Sequence, residues 1–144
     1  MGLAATQQLA LDRLRELLVG SVTGLREVHV DPPEAITALP CLVLFDEGFL
    51  PQRSGHWQEI EWRLRLQVFV QRGRLADAVR QCRELRGNVI DALDTDITLG
   101  AAVSRTTWGE EGLRLVGLEY PPGQEYAGVD GTYTLWIKEG KAFQ

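Results

Sequence analysis

Hydrophobic and polar positions alternate most regularly between Trp57 and Gln71. There Ile60, Trp62, Leu64, Leu66, Val68 and Val70 interleave with Glu59, Glu61, Arg63, Arg65, Gln67 and Phe69. Period two sustained this long predicts an antiparallel strand with one buried and one wet face. At ~3.3 Å per residue the strand runs for ~40 Å, long for a small domain. Such a strand overhangs its own core unless something else covers its end, which is the first sign of an assembly.

Two segments switch to helical spacing. In Leu3–Val19 the apolar positions are Leu3, Ala10, Leu11, Leu14, Leu17 and Leu18, with Gly20 and Ser21 as the stop. In Leu75–Leu93 the stripe is Leu75, Val79, Cys82, Leu85, Arg86, Val89, Ile90 and Leu93, closed by the Asp94-Thr95-Asp96 turn and Gly100. Shorter apolar runs predict strands at Leu25–Val30 and Leu39–Phe45. Three more are predicted at Ala101–Trp108, Leu113–Tyr120 and Tyr126–Lys138, the last with Gly128 and Gly131 as bulge positions. Asp46–Gly55, broken by Gly48, Pro51, Ser54 and Gly55, reads as a loop or hairpin tip. The order αβββαβββ, with strands joinable as hairpins between the helix insertions, predicts an α+β fold. It is a single domain over residues 1–144, an antiparallel or mixed sheet with two helices packed on one face.

Composition narrows the class. A chain of 144 residues buries about two-thirds of its surface, enough for one core. A net charge of −5 argues against a free-standing nucleic-acid binder. No apolar run reaches the ~20 residues that span a bilayer, and the N-terminal stretch lacks the basic region of a secretory signal. The charge is uneven: −3 over residues 1–58, +3 over 59–87 and −5 over 88–144. A basic middle between acidic ends suits packing against further copies, although an ordinary solvated surface gives the same count.

Little in the inventory is catalytic. Cys41 and Cys82 sit among apolar neighbours and read as buried thiols, not a disulfide framework. His29 and His56 stand without a neighbouring acid or cysteine, and no nucleophile elbow, phosphate loop or dinucleotide motif is present. Asp94 and Asp96 lack the glycine and distal glutamate of a calcium loop and read as turn formers. Glu59 and Glu61 share a strand face as paired carboxylates could, yet Arg63 and Arg65 continue their row. Cross-strand charge pairing or a subunit contact explains that row better than glycosidase chemistry does. The expectation is therefore a non-enzyme without cofactor or metal.

The order of features resembles the tail-terminator (tail-completion, lambda U-like) proteins of long-tailed bacteriophages. The likeness lies in the helix Leu9–Leu18 and in Ala38-Leu39-Pro40-Cys41-Leu42-Val43-Leu44 entering a strand. It continues through the alternating Trp62–Val70, the helix Leu75–Leu93, the turn Asp96-Ile97-Thr98-Leu99-Gly100 and the closing strands to Ile137. The resemblance implies a virion protein made in the bacterial host cytoplasm. It would form a hexameric ring that caps the tail tube, stops its growth and presents a surface to the head connector, while DNA passes through the lumen without specific binding. Its partners would be further copies of itself, the tail tube protein and neck proteins, with no membrane. The expected subunit or tube interface comprises Phe49, Leu50, Arg53, Trp57, Glu59, Glu61, Arg63 and Arg65. Another neck protein of the same particle, or a small-molecule-binding α+β domain, are the alternatives.

Overall fold

In the computed structural model, residues 2–54 and 57–140 are described, without the side chains at positions 53, 54, 57, 139 and 140. Helix α1 spans Leu3–Ser21 and α2 spans Leu75–Asp94. The strands are β1 Glu27–His29, β2 Cys41–Ser54, β3 Trp57–Val70, β4 Arg105–Trp108, β5 Arg114–Glu119 and β6 Glu125–Gly140. They form one mixed sheet ordered β1-β2-β3-β6-β4, with β5 also beside β6. The fold is α+β, in the order αβββαβββ.

Alternation on β3 does what period two dictates. Ile60, Trp62, Leu64, Leu66, Val68 and Val70 are all buried, and they face both helices. α1 contributes Ala10, Leu14 and Leu18 to this core, and α2 contributes Ala78, Cys82, Leu85, Val89, Ala92 and Leu93. The expected α2 stripe is thus rotated: Leu75 is 63% exposed, while Ala78 and Ala92 complete the buried face. On the opposite face a smaller cluster of Cys41, Val43 and Phe69 lies under Ile36, Leu39, Leu118 and Tyr120.

Three expectations are corrected. Residues 46–54 are strand, not a loop or hairpin tip: β2 pairs with β3 along the whole hairpin. The breakers there mark a bulge, because the register slips between Asp46 and Gly48 and leaves Glu47 as the extra residue. Gly48 takes φ +148° at this slip, backbone that side-chain-bearing residues rarely adopt. Second, β6 carries no bulge at Gly128 or Gly131, since its register with β3 is unbroken from Ala127 to Gly140. Third, β1 pairs parallel to β2, so it does not join β2 as a hairpin.

Buried acids on the two faces of the sheet link stability to pH. Burial, reinforced by Glu27, pushes the Cys41 thiol from 9.0 up to about 11. Burial likewise pushes the Tyr133 phenol from 10.0 up to about 12, offset in part by Thr106 and aided by Asp94 and Asp96. Both stay protonated in the fold at pH values where the unfolded chain has released the proton, so rising pH favours unfolding. Stability is expected to hold to pH 9 and then fall between pH 9 and 12, the range bounded by those values. Urea midpoints measured across that range check it; Cys41→Ala should shrink the lower part of the decline, leaving the share of Cys82, whose thiol is also pushed up by burial.

Candidate functional site

The wet face of β3 carries Glu59, Glu61, Arg63, Arg65 and Gln67 in one row, and neighbouring strands bring partners to it. Arg63 Nε donates to Glu61 Oε1 at 2.7 Å, and Gln52 of β2 donates to Glu61 Oε2 at 3.2 Å. Arg65 reaches both ways: its Nε donates to Glu47 Oε1 at 2.5 Å and its Nη1 to Asp130 Oδ2 at 2.7 Å. Gln67 donates to the other Asp130 oxygen at 2.9 Å, and Arg114 Nη2 lies 4.0 Å from Asp130 Oδ2. At the far end of the row Arg105 Nη2 sits 3.4 Å from Glu59 and its guanidinium 4.2 Å from the Trp136 ring centroid.

The bulge explains part of this geometry. One extra residue in β2 flips every later side chain to the other face. Glu47 is thereby freed to meet Arg65, and Phe49 turns inward against Trp62, with ring centroids 5.9 Å apart. Phe49 is therefore a half-buried core residue, not the exposed tip contact expected from the sequence. Leu50 falls on the polar face opposite Glu61 and remains 51% exposed. The structure brings Leu50, Glu59, Glu61, Arg63 and Arg65 together on this face. The side chains of Arg53 and Trp57 lie outside the described residues.

Hydrogen bonds to carboxylates hold both arginines of the row more firmly protonated than a free guanidinium, Arg63 through Glu61 and Arg65 through Asp130 and then Glu47. Beside them a concavity of about 630 Å³ opens between β3 and the Gly109–Gly112 turn, walled by Arg63, Arg65, Arg114, Glu110, Glu111 and Trp136. Its polar groups pair mainly with one another. The arrangement is a rigid charged surface suited to meeting another charged surface, without a nucleophile beside a base.

Asp130 is the hub that sequence reading missed. It is only 7% exposed and gathers partners from β3 and β5. The signal was present: a lone carboxylate in the small, apolar run Gly128-Val129-Asp130-Gly131 demands a cationic partner once buried. Known protein families and curated proteins were compared with this sequence, and none matches. Function therefore rests on the geometry and on the resemblance of element order.

The remaining chemistry is local. His29, expected to stand alone, pairs through Nε2 with Glu27 Oε2 at 2.8 Å, because positions two apart on β1 share a face. Cys41 lies opposite Glu27, but its raised thiol is the reverse of an activated nucleophile. Asp94 accepts from Trp108 Nε1 at 3.1 Å and Asp96 accepts from Thr98 at 3.4 Å. Both acids thus serve the turn after α2. His56 lies outside the described residues. Among the described residues no three His, Cys, Asp or Glu side chains gather as a metal would need, and no helix is long and apolar enough to cross a membrane.

Proposed function

We propose that this chain is a structural ring protein of a long-tailed phage or related particle, placed at the tail–neck junction, where it caps the tail tube and joins it to the head connector. The observation that carries the reading is the three-strand blade of β2, β3 and β6, of 14, 14 and 16 residues, stiffened on its wet face by cross-strand ion pairs. The αβββαβββ order adds the resemblance to tail terminators. On this reading the polar face, where Glu47, Glu59, Glu61, Glu110, Glu111 and Asp130 outnumber the arginines among them, turns to the channel. A net negative wall repels passing DNA and keeps it from sticking. The exposed Leu50 on the β2–β3 hairpin then belongs to the contact with the tube.

The test is mass and symmetry, with and without polymerised tail tube. Six-fold rings seated on tube ends, seen by electron microscopy together with arrested tube growth, are the expected result. A twelve-fold ring would reassign the chain to a connector of the same neck. A monomer that ignores tube ends would overturn the reading.

A further inference from the structure

We propose that successive copies join edge to edge, the outer side of β1 in one copy pairing antiparallel with the outer side of β5 in the next. The inference rests on the ring reading above and names the surfaces that build the ring.

Both lateral edges of the sheet are open among the described residues. β1 pairs only with β2, and β5 pairs only with β6. Strand direction follows from the pairings: β1 is parallel to β2, and β2, β3, β6 and β5 then alternate. β1 and β5 therefore run in opposite directions, so a copy placed beside another with its helices on the same side presents an antiparallel partner. Height matches as well. The pairs Val28–Leu42, Leu42–Val68, Val68–Val129 and Val129–Leu115 form one continuous apolar row across the sheet. Val28 of a neighbour set against Leu115 extends that row without a step.

The backbone of β5 is ready for this. Tyr120 N–H donates to the Gln124 carbonyl, which fixes the alternation along the hairpin. Leu118, Val116 and Arg114 bond inward to β6, while Leu115 and Gly117 direct their N–H and C=O groups outward. β2 beyond β1 is a poorer edge. Its bulge at Glu47 and the missing N–H of Pro51 are devices that discourage strand addition.

Side chains above the two edges are complementary. Between α1 and β1 lies a groove of about 380 Å³ with Val19, 59% exposed, and the arginines Arg15 and Arg26, which make no ion pair among the described residues. Between α2 and β5 lies a more apolar groove of about 520 Å³ with Leu75, 63% exposed, and with Glu119 and the Arg72–Glu125 ion pair at its rim. Joining the edges buries Val19 near Leu75 and sets Arg15 and Arg26 against Glu119. Because the two surfaces differ, the junction is heterologous and repeats by rotation, which is the interface type that closes rings.

Two residues along from the Val28–Leu115 match, Arg26, which precedes β1 and whose N–H is held by the Pro40 carbonyl, comes beside Gly117 of the next copy. Arg26→Cys with Gly117→Cys in one chain should therefore form intermolecular disulfides on mild oxidation. Both positions are exposed, a Cβ at Gly117 meets nothing within 4 Å, and the native Cys41 and Cys82 are buried. The expected result is a ladder of covalent multimers absent from either single variant. A ladder ending at the hexamer supports the junction and the ring together. One that continues past it supports the junction and overturns the closed ring. No ladder at millimolar protein overturns the junction, whatever mass the unmodified protein shows. Independently, Arg26→Glu should weaken association about tenfold and added Glu119→Arg should restore it. Failure of that restoration also counts against the junction.

Discussion

Gly131→Ala is expected to destabilise the fold by about 3 kcal/mol, because the added carbon has nowhere to go. A Cβ at this position would lie 2.5 Å from the Gly112 carbonyl oxygen and 2.6 Å from Leu113 Cδ2. The first neighbour is backbone, which a side-chain rotation cannot clear. Gly128→Ala should behave alike, with a Cβ 2.6 Å from the Val68 carbonyl oxygen and 2.2 Å from Leu118 Cδ1. Gly117→Ala, where the Cβ meets nothing within 4 Å, is the control and should move stability by less than ~0.5 kcal/mol. Urea unfolding of the three variants checks the ranking. At ~3 kcal/mol the melting temperature should fall by ~10 °C for a chain of this size. Equal stability of all three would mean that β5 and the Gly109–Gly112 turn do not press on β6 as described.

Those glycines show where sequence reading stops. Regular alternation on β3 was legible because burial on one face is a property of each residue in turn, and all six even positions from Ile60 to Val70 are buried. The two helices were legible for the same reason. Gly128 and Gly131 look like bulge formers in the sequence, yet their cause is non-local: Leu118 and Gly112 arrive from elsewhere in the chain and need the space. Conversely, Gly48 and Pro51 look like loop breakers. One accommodates a bulge, and the other sits on β2 beyond its pairing with β1, where that side has no ladder partner among the described residues. The exposed Leu75 and the buried Ala78 follow the same logic, since the direction from which the sheet meets α2 is not written in α2.

The candidate surface was half legible. The Glu59–Arg65 row was visible as charges two apart, and the structure assembles it. The partners that give the row its rigidity come from β2, β4 and β6, at separations of 18 residues for Glu47–Arg65 and 65 for Arg65–Asp130. Only register determines which strand supplies them. The bulge adds one step that no local pattern encodes, since it decides that Glu47 and Leu50 meet the polar face while Phe49 goes to the core.

Asp130→Ala is expected to be the most damaging change on that polar face, at about 2–3 kcal/mol. Removing the carboxylate strips a charge-assisted bond from Arg65 and a bond from Gln67, at a position that water barely reaches. Arg65 keeps Glu47 as a partner, which holds the loss below that of a fully orphaned buried cation. Asp130→Asn should cost less than alanine, because an amide oxygen can still accept from Gln67 or Arg65. Arg63→Ala should cost far less than Asp130→Ala, since its side chain is 53% exposed and its ion pair among the described residues is with Glu61 on the same strand. Salt separates the two cases further. Raising ionic strength should erase the small Arg63 effect and leave most of the Asp130 effect, because buried pairs are weakly screened. If Asp130→Ala and Arg63→Ala proved equally mild, the wet face would be an ordinary solvated surface. It would then lack the stiff blade on which the ring reading depends.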